Sequence, residues 1–239
     1  METHKIEDVL LLIAKGHLTK ILDYDPYQNF PGVSDRSQFS ALISKDPAFA
    51  DLGLADERYI VARVGGNLVT SLHRKIGDMY EGLFQALLLF RFGLTPEQTK
   101  YQAKVKIGNR VQLRSTDGMI PMDRLSTVEL PRLDSRWKRS KGLAFEVRSC
   151  YQIGDSKRIQ ADYDMALHLK AESLWPVMLV FCSTSLHSPI IRLSKSWALF
   201  QGEETFAFLR DLTGFDLARF MHGNSEILRS IIEQALSKI

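Results

Sequence analysis

The sequence predicts an α/β fold in which a mixed central sheet is flanked by helices, with further helices at both ends. Three observations carry this. The order of patterns from Leu72 onward is helix, strand, strand, strand, helix, strand. The stretch WPVMLVFCS is a continuous apolar run of strand length, as expected of a strand covered on both faces. The LAFEVRSC strand, the helix after it and WPVMLVFCS together suit a right-handed parallel crossover. At 239 residues the chain is long enough for one large domain or two small ones, and 45% hydrophobic with 25% charged residues is the composition of a globular rather than a disordered or membrane protein. We therefore expect a single domain over 1–239, with a helical attachment (1–70), a core (72–183) and a C-terminal helical region (194–239).

The elements follow in order. Ile6 to Leu22 has helical apolar spacing, and DYDPYQNFPGVSD supplies the turn residues that end it. Acids beside its apolar run, and no basic leader or small-residue cleavage site, make it the first helix of a cytosolic protein rather than a secretion signal. From Leu72, the residues Ile76, Met79, Tyr80, Leu83, Leu87 and Phe90 recur at helical spacing, and Gly93 and Pro96 stop the helix. Arg74, Asp78, Glu81 and Gln85 form a polar stripe beside that apolar face. KYQAKVKI and RVQLRSTDGMI then flank Gly108-Asn109, a hairpin signal. Asp117 falls on or just after the second strand. After LAFEVRSC and a turn through Gly154, Asp155 is a candidate N-cap for a helix whose packing stripe is Ile159, Tyr163, Ala166 and Leu167. Residues after Leu193 return to helical patterns, ending in an amphipathic SEILRSIIEQALSKI.

Charge and reactive residues narrow the function classes. The net charge of +3 is small, but RLSTVELPRLDSRWKRSK gathers Arg124, Arg132, Arg136, Lys138, Arg139 and Lys141 against Glu129 and Asp134, with Arg114 just upstream. Such a segment suits a polyanion, or is simply a surface loop. Cys150 and Cys182 lack Cys-x-x-Cys spacing and read as buried free thiols. The histidines show no paired metal-ligand spacing. Neither a Gly-x-Ser-x-Gly elbow nor a phosphate-binding Gly-x-x-x-x-Gly-Lys loop occurs, and Val64-Gly65-Gly66-Asn67 is too short a glycine signal for a nucleotide site. No nucleotide cofactor and no membrane association is expected.

One strand carries the chemistry. Glu146 and Arg148 share a face of LAFEVRSC, since alternate strand residues point the same way. An acid in an apolar strand is costly unless partnered. If the strand of Asp117 is its neighbour, both carboxylates can meet one metal ion, and hydrolysis of a phosphodiester needs such an ion to activate water and neutralise phosphate charge. Asp-Gly is also a common turn dipeptide, and Glu129 and Asp134 are substitutes for Asp117.

Asp117 in TDGMI, Glu146-Val147-Arg148 in FEVRS and Glu81 on the preceding helix resemble the PD-(D/E)xK nuclease superfamily over about Leu72 to Ser183. The resemblance is to its type II restriction endonucleases, and RKIGDMYEGLFQALL with GDSKRIQADYDMA is similar to their ApaLI-like group. It implies a restriction-endonuclease-like core of αβββαβ order. It also implies a magnesium-dependent hydrolase of a bacterial, cytoplasmic restriction-modification system, cutting double-stranded DNA as a homodimer at a short palindromic site. Asp117, Glu146 and Glu81 would then bind Mg²⁺. Asp117, Glu146, Arg148 and Lys157 would form the catalytic set, and Arg132, Arg136, Lys138, Arg139, Lys141 and Arg158 would contact DNA. The chain departs from the family in having Arg148 where lysine is usual, and arginine cannot accept a proton. Either Arg148 acts electrostatically, or Lys157 reaches the site, or the chain is catalytically impaired. The alternatives are a repair or structure-selective nuclease, or a non-catalytic DNA-binding protein on the same scaffold.

Overall fold

The computed structural model describes residues 2–107, 110–152 and 156–237. In chain order its elements are α1 (Glu2–Leu18), α2 (Arg36–Ser44), α3 (Pro47–Ala50), α4 (Glu57–Phe92), β1 (Gln102–Ile107), β2 (Arg110–Ser115), β3 (Gly118–Pro121), β4 (Gly142–Arg148), α5 (Ser156–Ala171), β5 (Trp175–Val180), α6 (His187–Ser194), β6 (Ala198–Gln201), α7 (Glu203–Thr213), α8 (Leu217–Gly223) and α9 (Ser225–Leu236). They fall into two compact units, one of Met1–Ala14 with Gly77–Asn224, the other of Lys15–Ile76 with Ser225–Ile239, the division passing within α1 and α4. Among the described residues no helix is long and apolar enough to cross a membrane.

The larger unit has the expected mixed sheet flanked by helices. Its order is β3-β4-β5-β6, with β3 antiparallel to β4 and the remaining neighbours parallel. The apolar runs of β4 and β5 follow from burial on both faces: Leu143, Ala144, Phe145, Val177, Met178, Leu179 and Val180 are all fully inaccessible. One face meets aromatic rings, with Phe145 against Phe84 of α4 and Phe208 of α7. On the other, Ala144, Met178 and Val180 share a core with Ile159, Met165, Ala166 and Leu169 of α5.

The structure corrects four expectations in this unit. The stretch RVQLRSTDGMI is two strands, because at Thr116 the chain changes partner. Thr116 N–H donates to Tyr101 at 3.0 Å, whereas Asp117 N–H already donates to Phe145 of β4 at 2.9 Å. β1 and β2 therefore form a separate antiparallel pair, whose proposed Gly108-Asn109 turn lies outside the described residues, as do Gly154 and Asp155. Asp117-Gly118 is a strand entrance rather than a turn. A Cβ on Gly118 would lie 2.5 Å from the Phe84 ring, so glycine lets β3 pass under that side chain. β6 adds a strand where only helix was expected. Finally, Leu167 and Phe90 are exposed, and Leu169 and Phe92 are buried instead.

The smaller unit is built on Phe39, Ile43, Ile60 and Val64, with Tyr27, Phe30 and Val33 packed against them. Asp35 and Asp46 cap α2 and α3, each accepting a backbone N–H of the first turn. Here α4 begins at Glu57, well before Leu72, and Gly65-Gly66 lie inside it.

Candidate functional site

Continuing the β3–β4 register by one residue beyond the Gly118–Phe145 pair sets Asp117 opposite Glu146. The two strands are thus neighbours, and the Asp117 carboxylate reaches across to accept the Val147 N–H at 2.8 Å and Arg148 Nη1–H at 3.3 Å. Arg148 also pairs with Glu146 through Nη2 and with Asp162 of α5 at 2.9 Å. Three carboxylates from three elements therefore converge on one guanidinium. α4 adds a fourth: the Gln85 amide donates to Glu81 at 3.0 Å and to the Asp117 carbonyl at 3.1 Å, tying helix to strand.

The local electrostatics follow from burial with too little positive charge. Glu146 is pushed up to about 8 chiefly by burial, against the pull of Arg148 and with Asp117 and Asp162 adding repulsion. Glu81 is raised to about 7 by burial and by the Asp117 and Asp78 charges. Asp117 is also raised by burial, with Arg148 and the Val147 N–H opposing. Burial alone would lower Arg148, but Glu146, Asp162 and Asp117 hold it firmly charged. Its Nε is buried and has no partner among the described residues.

Beside the cluster opens a cavity of about 370 Å³ lined by Arg114, Glu146, Arg148, Arg158 and Asp162 among others. That volume is at the small end of ligand sites. Arg114 is held there by donating to the Ala161 carbonyl at 2.7 Å. Arg158 acts electrostatically on Asp117. Three guanidinium groups and two carboxylates thus face one opening, an arrangement suited to an anion bound next to a cation.

The structure brings Glu81, Asp117, Glu146, Arg148 and Arg158 to this place. Lys157, exposed on the first turn of α5, does not line the cavity. The basic insert enters β4 at its other end, and Lys141 to Glu146 spans about 16 Å of strand. It is ordered rather than loose: Trp137, Leu125, Val128, Leu130 and Leu133 are buried. Three of its six cations are paired with acids, Arg132 with Asp211, Arg136 with Asp134, and Lys138 with Glu129 at 3.2 Å. Arg139 and Lys141 are exposed, without a side-chain ion pair among the described residues.

Two residues of the cluster were missed in the sequence. Asp162 stands at i+3 from Ile159 and i−4 from Ala166, on the buried stripe of α5, so helical spacing alone places an acid on the inward face. Tyr151, just past β4, donates its hydroxyl to Asp162 at 2.6 Å and is raised by burial and by that carboxylate. No family model, no curated protein and no solved structure matches the chain.

The donor chemistry suits a hard divalent cation: the side chains are carboxylates, raised first by burial and then by one another's charge. As arranged, Arg148 stands among these carboxylates. Among the described residues no three His, Cys, Asp or Glu side chains form a ready metal cage.

Proposed function

We propose that the chain is a Mg²⁺-dependent nuclease that hydrolyses phosphodiester bonds in double-stranded DNA, acting as a homodimer at a short palindromic site in the manner of type II restriction endonucleases. The observation that carries this is the convergence of Glu81, Asp117 and Glu146, from α4, the entrance of β3 and β4, beside a cavity that also presents Arg114, Arg148 and Arg158. The order α4, β3, β4, α5, β5, with β3 antiparallel and β5 parallel to β4, supports a restriction-endonuclease-like core, although β1 and β2 form a separate pair and make four strands before α5 where three were expected.

Asp117, Glu146 and Glu81 would hold the ion. Bound there, Mg²⁺ supplies charge neutralisation at phosphate and a more acidic water. The remaining work belongs to the chain. Arg148, permanently charged, orients the carboxylates and stabilises the phosphate, but takes no proton. Glu81, raised to about 7 by burial and by the Asp117 and Asp78 charges, would be returned to its charged form by the ion it helps to hold. Arg114 and Arg158 neutralise the non-bridging phosphate oxygens.

A second reading, a DNA-binding protein without catalysis, is favoured by one observation: the three carboxylates already hold the guanidinium of Arg148. Incubating a varied plasmid set with the chain and Mg²⁺, with EDTA and Glu146→Gln controls, separates the two. Discrete metal-dependent fragments lost in E146Q are expected. Smeared or junction-dependent products indicate a structure-selective nuclease. Sequence-specific binding without cutting, with cutting gained in R148K, indicates the non-catalytic reading. Neither binding nor cutting overturns both.

A further inference from the structure

Arg148 is the last residue of β4 paired with β5, opposite Val180. The same register carried two residues further sets Cys150 opposite Cys182, and the backbone supports it: Cys182 N–H donates to the Ser149 carbonyl at 2.9 Å. Directly opposed residues on neighbouring parallel strands point to the same side, at the Cα separation that disulfides span. The thiols do meet. One side chain touches both of them. The Ser185 hydroxyl lies 3.4 Å from the Cys182 sulfur and 3.6 Å from that of Cys150. Both cysteines are free and only half-buried, so a small oxidant reaches them.

We propose that Cys150 and Cys182 are an oxidisable pair that closes to an intramolecular disulfide on exposure to a hydroperoxide, with Cys182 the sulfur oxidised first. The two thiols have unequal surroundings. Burial raises Cys150. Burial would raise Cys182 too, but its polar neighbours, Cys150 and Thr184 among them, bring it below the usual thiol value. The Cys182 thiolate attacks the peroxide O–O bond, giving a sulfenic acid and hydroxide. The sulfur of Cys150 then displaces the sulfenic oxygen, its proton leaving with that oxygen as water. Two thiols and one hydrogen peroxide become one disulfide and two waters, and a dithiol reverses the change.

The pair adjoins the acid cluster. Tyr151 follows Cys150, takes the Ser185 hydroxyl as acceptor for its own N–H at 3.0 Å, and donates its hydroxyl to Asp162. Oxidation therefore constrains the chain immediately before a residue that holds the site together. Bond formation itself is independent of what the site does.

The test treats the full chain with a modest excess of hydrogen peroxide and follows free thiols, intact mass and non-reducing peptide maps. Expected is joint loss of both thiols, a mass lower by two hydrogens, one linked peptide pair holding Cys150 and Cys182, and full recovery with dithiothreitol. In C182S the remaining thiol reacts at least about tenfold more slowly than in C150S, whose Cys182 sulfenic acid is trapped by dimedone. Oxygen added to either sulfur of the wild type without linkage, disulfide-joined dimers, or equal rates in the two variants overturns the proposal.

Discussion

The two ends of β4 carry two clusters of charge that obey different rules. At its exit, Asp117, Glu146 and Asp162 share one buried arginine, and the carboxyls of Glu146 and Glu81 are forced up to about 8 and about 7. At its entrance, three of the six cations of the 124–141 insert, Arg132, Arg136 and Lys138, each have a private acid in reach of water. Asp134, for example, is held down at about 2 by hydrogen bonds from Arg136. The insert is the more conspicuous feature of the sequence, yet half of its cations are each neutralised by an acid of their own. The exit carries fewer charges and leaves them unbalanced. Charge density along a chain therefore ranks candidate sites poorly; what ranks them is whether burial prevents each charge from finding its own partner.

The strongest way to break this contrast is Arg148→Met, which leaves three carboxylates without their shared cation. Removing one member of a buried ionic network costs about 3–5 kcal/mol, and urea unfolding is expected to read a loss of that order. A loss below about 1 kcal/mol, the range of exposed pairs, would place the exit cluster in the same class as the insert. Raising the pH is a gentler version of the same break, because Arg148 stays. Glu146 and Glu81 have folded values above the ordinary carboxylate value of 4.5, so the folded chain binds these protons more tightly than the unfolded one. Their contribution is fully present below about 4.5 and is lost as pH rises through about 7 and about 8. Stability should fall between pH 5.5 and 8.5, less steeply in E146Q, and added Mg²⁺ should restore most at the upper end, where it no longer competes with protons. Denaturation midpoints at both pH values, with and without Mg²⁺, check this; a midpoint that rises with pH would reverse the sign.

How much of this was legible follows the same physics. The Glu146–Arg148 strand, its parallel partner β5 and the helix between them announce themselves by continuous apolar runs and helical spacing, because burial imposes both. The site acids on β4 and at the entrance of β3 stood out as charges placed against apolar neighbours. Asp162 did not, since α5 is dotted with acids and only its position relative to Ile159 and Ala166 distinguishes it from Asp164, which instead pairs with Gln160. The break between β2 and β3 was hidden because it is made by a change of partner at Thr116 and Asp117, not by a turn residue. β6 is too short to show a period. The local pairing in the insert depends on side chains as distant as Asp211, which no spacing rule connects to Arg132.

The smallest effect, and the one that sharpens the comparison most finely, lies within the insert itself. If the segment meets DNA, its cations are not equivalent. Arg136 and Lys138 are already neutralised by Asp134 and Glu129, so a phosphate must compete with an existing acid. Arg139 and Lys141, exposed and without an ion pair among the described residues, give up only counterions and water. Each phosphate contact contributes about 0.9 to the slope of log affinity against log salt. Arg139→Ala and Lys141→Ala should each lower that slope by nearly this amount, whereas Arg136→Ala and Lys138→Ala should lower it by well under half as much. None of the four should move the unfolding midpoint appreciably, since exposed charges away from buried networks have little effect on stability. Equal slopes for all four would mean that the local acids let go on binding, and the insert would then act as the continuous basic surface that its sequence suggests.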